Sequence, residues 1–155
     1  NPNASGAIIG FSDFHTRYHL YRAIIEGICL ELYHGLVKMQ KRSSVTVDEL
    51  YAGGGGSSSP VVCQIAADVF GLPVHRIQTH EASAVGCAMV AFISQGVYSS
   101  YEDAIEHMVH KKDVFIPNEE NHRTYMKIYG KAYSHRASRL KPIEKYLHHF
   151  QTGGH

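Results

Sequence analysis

Tyr51-Ala-Gly-Gly-Gly-Gly-Ser-Ser-Ser-Pro60 separates two apolar patterns of different kind. Val45, Val47, Leu50 and Tyr51 lead into it, and Val61, Val62, Ile65, Ala66, Val69 and Phe70 leave it at helical spacing. The pattern predicts a strand, a glycine loop and a helix, in that order. Four successive glycines add no side chain to a core and cost backbone entropy when ordered. They give instead a main chain that can take positive φ and be approached closely at its N–H groups. Ser57, Ser58 and Ser59 stand where a helix would start, as capping candidates, and Pro60 suits the first helical position. Together these features make a site for an anion or a nucleotide. The alternative is a tight connection with nothing bound, but a turn is satisfied by one or two glycines.

Length and composition set the frame around that loop. A chain of 155 residues is the size of one domain, able to bury roughly two-thirds of its unfolded surface. The formal net charge is +1, so bulk electrostatics favours neither nucleic acid nor an anionic membrane as a partner. No apolar run approaches the roughly 20 residues of a membrane span, and no signal-peptide pattern is read. Cys29, Cys63 and Cys87 each fall within an apolar helical pattern. An odd number in that setting predicts reduced, buried thiols in a cytoplasmic protein. The opening Asn1-Pro2-Asn3 lacks methionine, and a longer parent polypeptide is expected.

In chain order, residues 1–12 are expected to be loop, with an extended piece from Ala7 to Phe11. Ser12 or Asp13 would cap a long helix beginning near His15. Leu20, Ile24, Ile28, Leu32, Leu36 and Met39 fall at three- and four-residue spacings, the stripe of a helix laid on a core. Glu26 and Glu31 flank it as solvated carboxylates. A second helix runs from Ser59 to Gly71, followed by a short strand from Val74 to Ile77 and a helix from Thr79 to Ile93 with small residues on one side. Tyr101 to Val109 is a shorter amphipathic helix; Lys111-Lys112 mark a turn and Val114 to Ile116 a brief extended piece. A last helix carries Tyr125, Ile128, Tyr129, Ala132, Tyr133 and Leu140 on one face, with Pro142 as an interruption or kink. One domain over residues 1–150 and a loose tail over 151–155 are expected.

The chemistry is bounded by what the loop lacks. A P-loop needs a lysine after its last glycine, and no Lys or Arg lies between Arg42 and Arg76. The loop therefore has only backbone N–H groups and hydroxyls, which suit a nucleoside and an α-phosphate but not a reacting γ-phosphate. The dinucleotide fingerprint fails too, since Ser58 takes the place of its third glycine. His15 with His19, and His107 with His110, share helix faces but have no third ligand at suitable spacing. Asp48, Asp68, Asp103 and Asp113 stand beside no candidate base or nucleophile. No catalytic and no metal-ligating residue is assigned.

Gly54-Gly-Gly-Ser-Ser-Ser-Pro-Val-Val-Cys-Gln-Ile-Ala-Ala-Asp68, Phe70-Gly-Leu-Pro-Val74 and Glu81-Ala-Ser-Ala-Val-Gly-Cys-Ala88 resemble a signature region of the FGGY carbohydrate kinases. The opening Asn1-Pro-Asn-Ala-Ser-Gly-Ala-Ile-Ile-Gly10 and Tyr21-Arg-Ala-Ile-Ile-Glu-Gly27 match the same family in the same order. The resemblance extends from Asn1 to about Leu147.

It implies an α/β fold: the second domain of an actin-like, ribonuclease H-like ATPase, helix-rich with a small partial sheet. It also implies that Gly54, Gly55, Gly56, Ser57, Ser58 and Ser59 line the adenosine end of ATP, with Ser58 where many members have lysine. The catalytic aspartate and most of the sugar site would belong to a missing N-terminal sugar-binding domain. The cofactors implied are ATP and Mg2+, and the substrate a carbohydrate: xylulose or ribulose first, gluconate or glycerol next. This part alone is expected to be inactive. A non-catalytic nucleotide-binding or interaction module on the same fold is the alternative. With upstream strands absent, an apolar surface is expected to be exposed, or covered by a second copy in a homodimer.

Overall fold

The computed structural model describes residues 7–151. Helix α1 spans Arg17–Gln40 and is capped at Thr16 rather than at Ser12 or Asp13. Two histidines explain the shift. The Ser12 N–H donates to Nδ1 of His15 at 3.0 Å, and the Thr16 N–H donates to Nδ1 of His19 at 3.2 Å. The His19 imidazole thus satisfies the N–H of the N-cap residue itself, and that of His15 closes the turn that precedes it. The segment from Ala7 to Phe11, expected to be extended, forms no strand, and Ile8 and Ile9 lie exposed with no neighbouring strand to pair them.

The inward face of α1 also differs from the predicted stripe. Cys29 and Leu30 are buried, and Ile25 and Tyr33 pack beside them. Ile24, Ile28, Leu32 and Met39 are at least half exposed. Apolar residues occupy more than one face of this helix, so periodicity fixes the helix but not the side that meets the core.

Strand β1 (Leu50–Ala52), a 3-10 turn (Gly55–Ser58) and helix α2 (Pro60–Phe70) follow, as the sequence predicts. Ser59 Oγ accepts the Val62 N–H at 3.4 Å, Pro60 opens the helix, and Gly71 closes it with φ 67°. A side chain at Gly71 would also collide with the His122 ring, within 2.5 Å of the added carbon. Helix α2 carries apolar residues on two faces because it is buried on both sides. Ile65 and Val69 join Cys29, Leu30 and Tyr125 on one side. Cys63 and Ala67 join Val74 of the sheet on the other, with Leu50 and Phe115 beside them.

Strand β2 (Val74–Ile77) runs parallel to β1, pairing Leu50 with Val74 and Ala52 with Arg76. Strand β3 (Lys111–Phe115) runs antiparallel to β2, giving the order β1-β2-β3. Lys111 and Lys112 therefore belong to a strand, not to the expected turn. Helices α3 (Ala82–Ser94) and α4 (Tyr101–Met108) connect β2 to β3, with Ser100 Oγ capping α4 through the Asp103 N–H. Cys87 is exposed on α3, against the expectation of three buried thiols; Cys29 and Cys63 are buried, and burial pushes both thiols up in pKa.

Helix α5 (Glu119–Lys131), capped by Asn118, is fastened to α2 through Asp68. The Asp68 carboxylate accepts hydrogen bonds from Gln64, the Asn118 backbone and Asn121, each at 2.8 Å. The expected single last helix breaks at Ala132 (φ −124°, ψ −59°), passes through a 3-10 turn (Tyr133–His135) and resumes as α6 (Arg136–Gln151). There the Tyr133 hydroxyl turns back to the Gly27 carbonyl at 2.9 Å. Pro142 lies inside α6 without ending it. Gln151 is the last residue of α6; the rest of the expected tail and the Asn1–Gly6 part of the opening motif lie outside the described residues.

Candidate functional site: an open glycine turn at the ends of two parallel strands

The four glycines divide into two pairs. Gly53 and Gly54 are required by the fold. A Cβ on Gly53 would stand 2.9 Å from that of Ala82, and Gly54 has φ +80° while its N–H donates to the His80 carbonyl at 2.9 Å. Gly55 and Gly56 have no such reason, since a Cβ on either would meet nothing within 4 Å. Both are exposed and open the 3-10 turn, so their N–H groups find no carbonyl within it. The outer half of the run is thus bare main chain facing open space.

The serines lock the turn from inside. Ser57 Oγ donates to the Gly54 carbonyl and Ser58 Oγ to the Gly55 carbonyl, each at 2.7 Å. Ser57 is buried and Ser59 is occupied as the cap of α2. The hydroxyl protons of Ser57 and Ser58 are therefore directed inward, and the donors facing outward are backbone N–H groups.

A residue that motif reasoning missed holds the turn from beneath. Arg76 projects from β2, 15 % exposed, with Nε donating to Asp113 Oδ2 at 2.8 Å. One terminal nitrogen bonds the same oxygen; the other donates to the carbonyls of Ser57 and Ser58 at 3.2 Å each. The signal was present in the sequence only as the first cation after the loop; its reach depends on the pairing of Ala52 with Arg76. Beside it lies a cavity of about 130 Å³ lined by Ser57, Ser58, Arg76, Gln78, His80 and Lys112 among others. It sits where β1 and β2 end, the position at which open α/β sheets receive ligands. A larger groove of about 1040 Å³ between α1 and α6 contains Leu20, Ile24, Glu31 and Arg136 but no residue of the glycine turn.

The remaining candidates have structural occupations. His15 and His19 are the local caps described above. His107 donates from Nδ1 to the Asp103 carbonyl at 2.8 Å and pairs with its carboxylate at 3.1 Å, and the Asp103 carbonyl raises the imidazole pKa. The Ser99 N–H and hydroxyl hold the Asp103 carboxyl below its ordinary value. Among the described residues, no group of three His, Cys, Asp or Glu side chains could hold a metal ion. No helix among them is long and apolar enough to cross a membrane.

A family model described as the FGGY family of carbohydrate kinases, C-terminal domain, matches residues 1–95. Xylulose kinase of Staphylococcus epidermidis is 33% identical over 125 residues, covering 81% of this chain and 25% of that protein. Glycerol kinase of Saccharolobus islandicus is 33% identical over 103 residues, 66% of this chain and 21% of that protein. The solved xylulose kinase from Rhodospirillum rubrum matches with a TM-score of 0.77 at 30% identity, over 92% of this chain and 28% of that one. The architecture is that of the actin-like ATPases, helix-rich with a small three-stranded sheet. The chain spans about a quarter of the length of the curated relatives it matches.

Proposed function

This chain belongs to the FGGY family of carbohydrate kinases, as the C-terminal domain, and on that footing we propose that it forms the nucleotide-holding part of an ATP-dependent sugar kinase. The observation that carries this is the pair Gly55 and Gly56, which the fold leaves open and does not itself require. A planar or phosphorylated ligand can come into contact with that main chain where any side chain would intervene. The turn is also braced without a ligand, since Ser57, Ser58 and Arg76 bond its carbonyls. A preordered site loses less entropy on binding.

Gly54, Gly55, Gly56 and Ser58 present the exposed surface, while Ser57 and Ser59 act behind it. ATP supplies the phosphoryl group that the whole enzyme transfers to a carbohydrate hydroxyl. Mg2+ in phosphoryl-transfer sites is held by one or two carboxylates together with the substrate phosphates, and no residue of this domain is assigned to it. On this reading the chemistry is assigned to an N-terminal domain of the same polypeptide, and this domain alone would be inactive. The substrate favoured is a ketopentose such as xylulose, the substrate named for the staphylococcal relative.

The test is thermal unfolding with ADP. Wild-type chain should melt higher as ADP rises, and Gly55→Asp should abolish that rise while its own unliganded melting temperature stays at the wild-type value. A wild-type chain indifferent to ADP, or a Gly55→Asp chain still stabilised, would remove the cradle.

A further inference from the structure

We propose that Lys112 is the cation of the glycine turn, supplying from β3 the phosphate contact that the loop cannot make itself; this deepens the nucleotide reading and rests on it. The loop has no cation of its own, because no Lys or Arg lies between Arg42 and Arg76. Arg76 reaches the turn, but its charge is committed to Asp113 and to the carbonyls of Ser57 and Ser58. A phosphate beside this turn needs another positive charge.

The sheet register puts one there. Arg76 pairs with Asp113, yet the next residue, Ile77, pairs with Lys111. One step on β2 answers two on β3, and Lys112 is the extra residue of the bulge. In a regular strand Lys112 would project from the face opposite Asp113. A bulge re-aims a side chain, and here Lys112 lines the cavity shared by Arg76, Ser57 and Ser58.

Its neighbour shows the contrast. Lys111 is engaged on the other side, 3.3 Å from Glu49 Oε2 and over the Tyr51 ring at 5.2 Å. Lys112 is exposed and, among the described residues, has no ion-pair partner. Two carboxylates lie near the cavity lining: Asp113, engaged by Arg76, and Glu81, 3.4 Å from His80. Lysines on an edge strand also guard against aggregation by strand pairing, and β3 is such an edge. That role predicts no ligand dependence, which separates the two.

The experiment titrates the 155-residue chain with ADP, adenosine and pyrophosphate by calorimetry. Wild type should bind ADP more tightly than adenosine. Lys112→Gln should weaken ADP about tenfold, the size of one charge-assisted hydrogen bond, with adenosine affinity and melting temperature unchanged; Lys112→Arg should restore ADP. If Lys112→Gln binds ADP and pyrophosphate like wild type, the lysine is an edge guard and the inference falls, while adenosine binding still upholds the cradle. If wild type binds pyrophosphate in a Lys112-dependent way but no adenosine, the anion site stands and the nucleoside cradle fails. Binding of none of the three overturns both.

Discussion

Asp68 shows at the residue scale how a charged group in the middle of an apolar helix becomes necessary. It is buried, 4 % exposed, and its two oxygens hold three donors drawn from α2 and the start of α5. Asp68→Ala leaves those donors without an acceptor and should cost on the order of 3 kcal/mol in urea unfolding. Asp68→Asn should also destabilise, because its amide must turn an NH2 toward one of the donors. Ile28 is the opposite case. It is 57 % exposed on the face of α1 that periodicity assigned to the core, so Ile28→Glu should change stability by no more than about 0.5 kcal/mol; a loss of several kcal/mol would restore the predicted stripe. His107 reports on charge. Its folded pKa is raised by the Asp103 carbonyl and then by the nearby carboxylates. Its contribution to stability is therefore present below the unfolded pKa of about 6.5 and is lost as pH rises through the higher folded value. An NMR titration should place its midpoint above 6.5, and that of His34, lowered by burial and by Lys38 and Lys41, beneath it.

Helix α2 is the element on which the rest depends, and its limits were legible because every signal is local. Ser59, Pro60 and Gly71 set its start and stop within one turn of the chain. Strand β2 was legible for the same reason, bracketed by Pro73 and the polar run after Ile77. What escaped was set by partners distant in sequence. The inward side of α1 depends on where α2 and α5 lie, and the membership of Lys111 and Lys112 in β3 depends on β2. The break at Ala132 has no proline or glycine at its centre and goes with the Tyr133 contact to Gly27. Arg76 was invisible as a site residue until register brought it under the loop. Two substitutions test the helix itself. Ile65→Ala removes a side chain 4 % exposed between α1 and α5 and should cost about 2–5 kcal/mol. Gly71→Ala should cost more than the usual price of an alanine at positive φ, since His122 must also give way; its Asp68 carbonyl contact, 3.0 Å in the wild type, should be lost in the variant.

For the whole molecule, α1 and α5 enclose α2 against a sheet that has three strands among the described residues, with β1 at one edge. Apolar residues of α1, among them Ile24, Ile28 and Leu32, are exposed, and the chain spans about a quarter of the length of the curated relatives it matches. Family and fold were readable from five motif blocks in order, from Asn1-Pro-Asn to Glu81–Ala88, whereas the geometry of the site required the sheet. The most direct measurement is a nitrogen–proton correlation spectrum of the chain titrated with ADP. A nucleotide cradle at the turn predicts that the amides of Gly55 and Gly56 shift first and furthest, with Gly54 and Ser57 following and α6 unmoved. Saturating ADP that leaves the glycine amides in place, or that moves α1 and α6 instead, would contradict it.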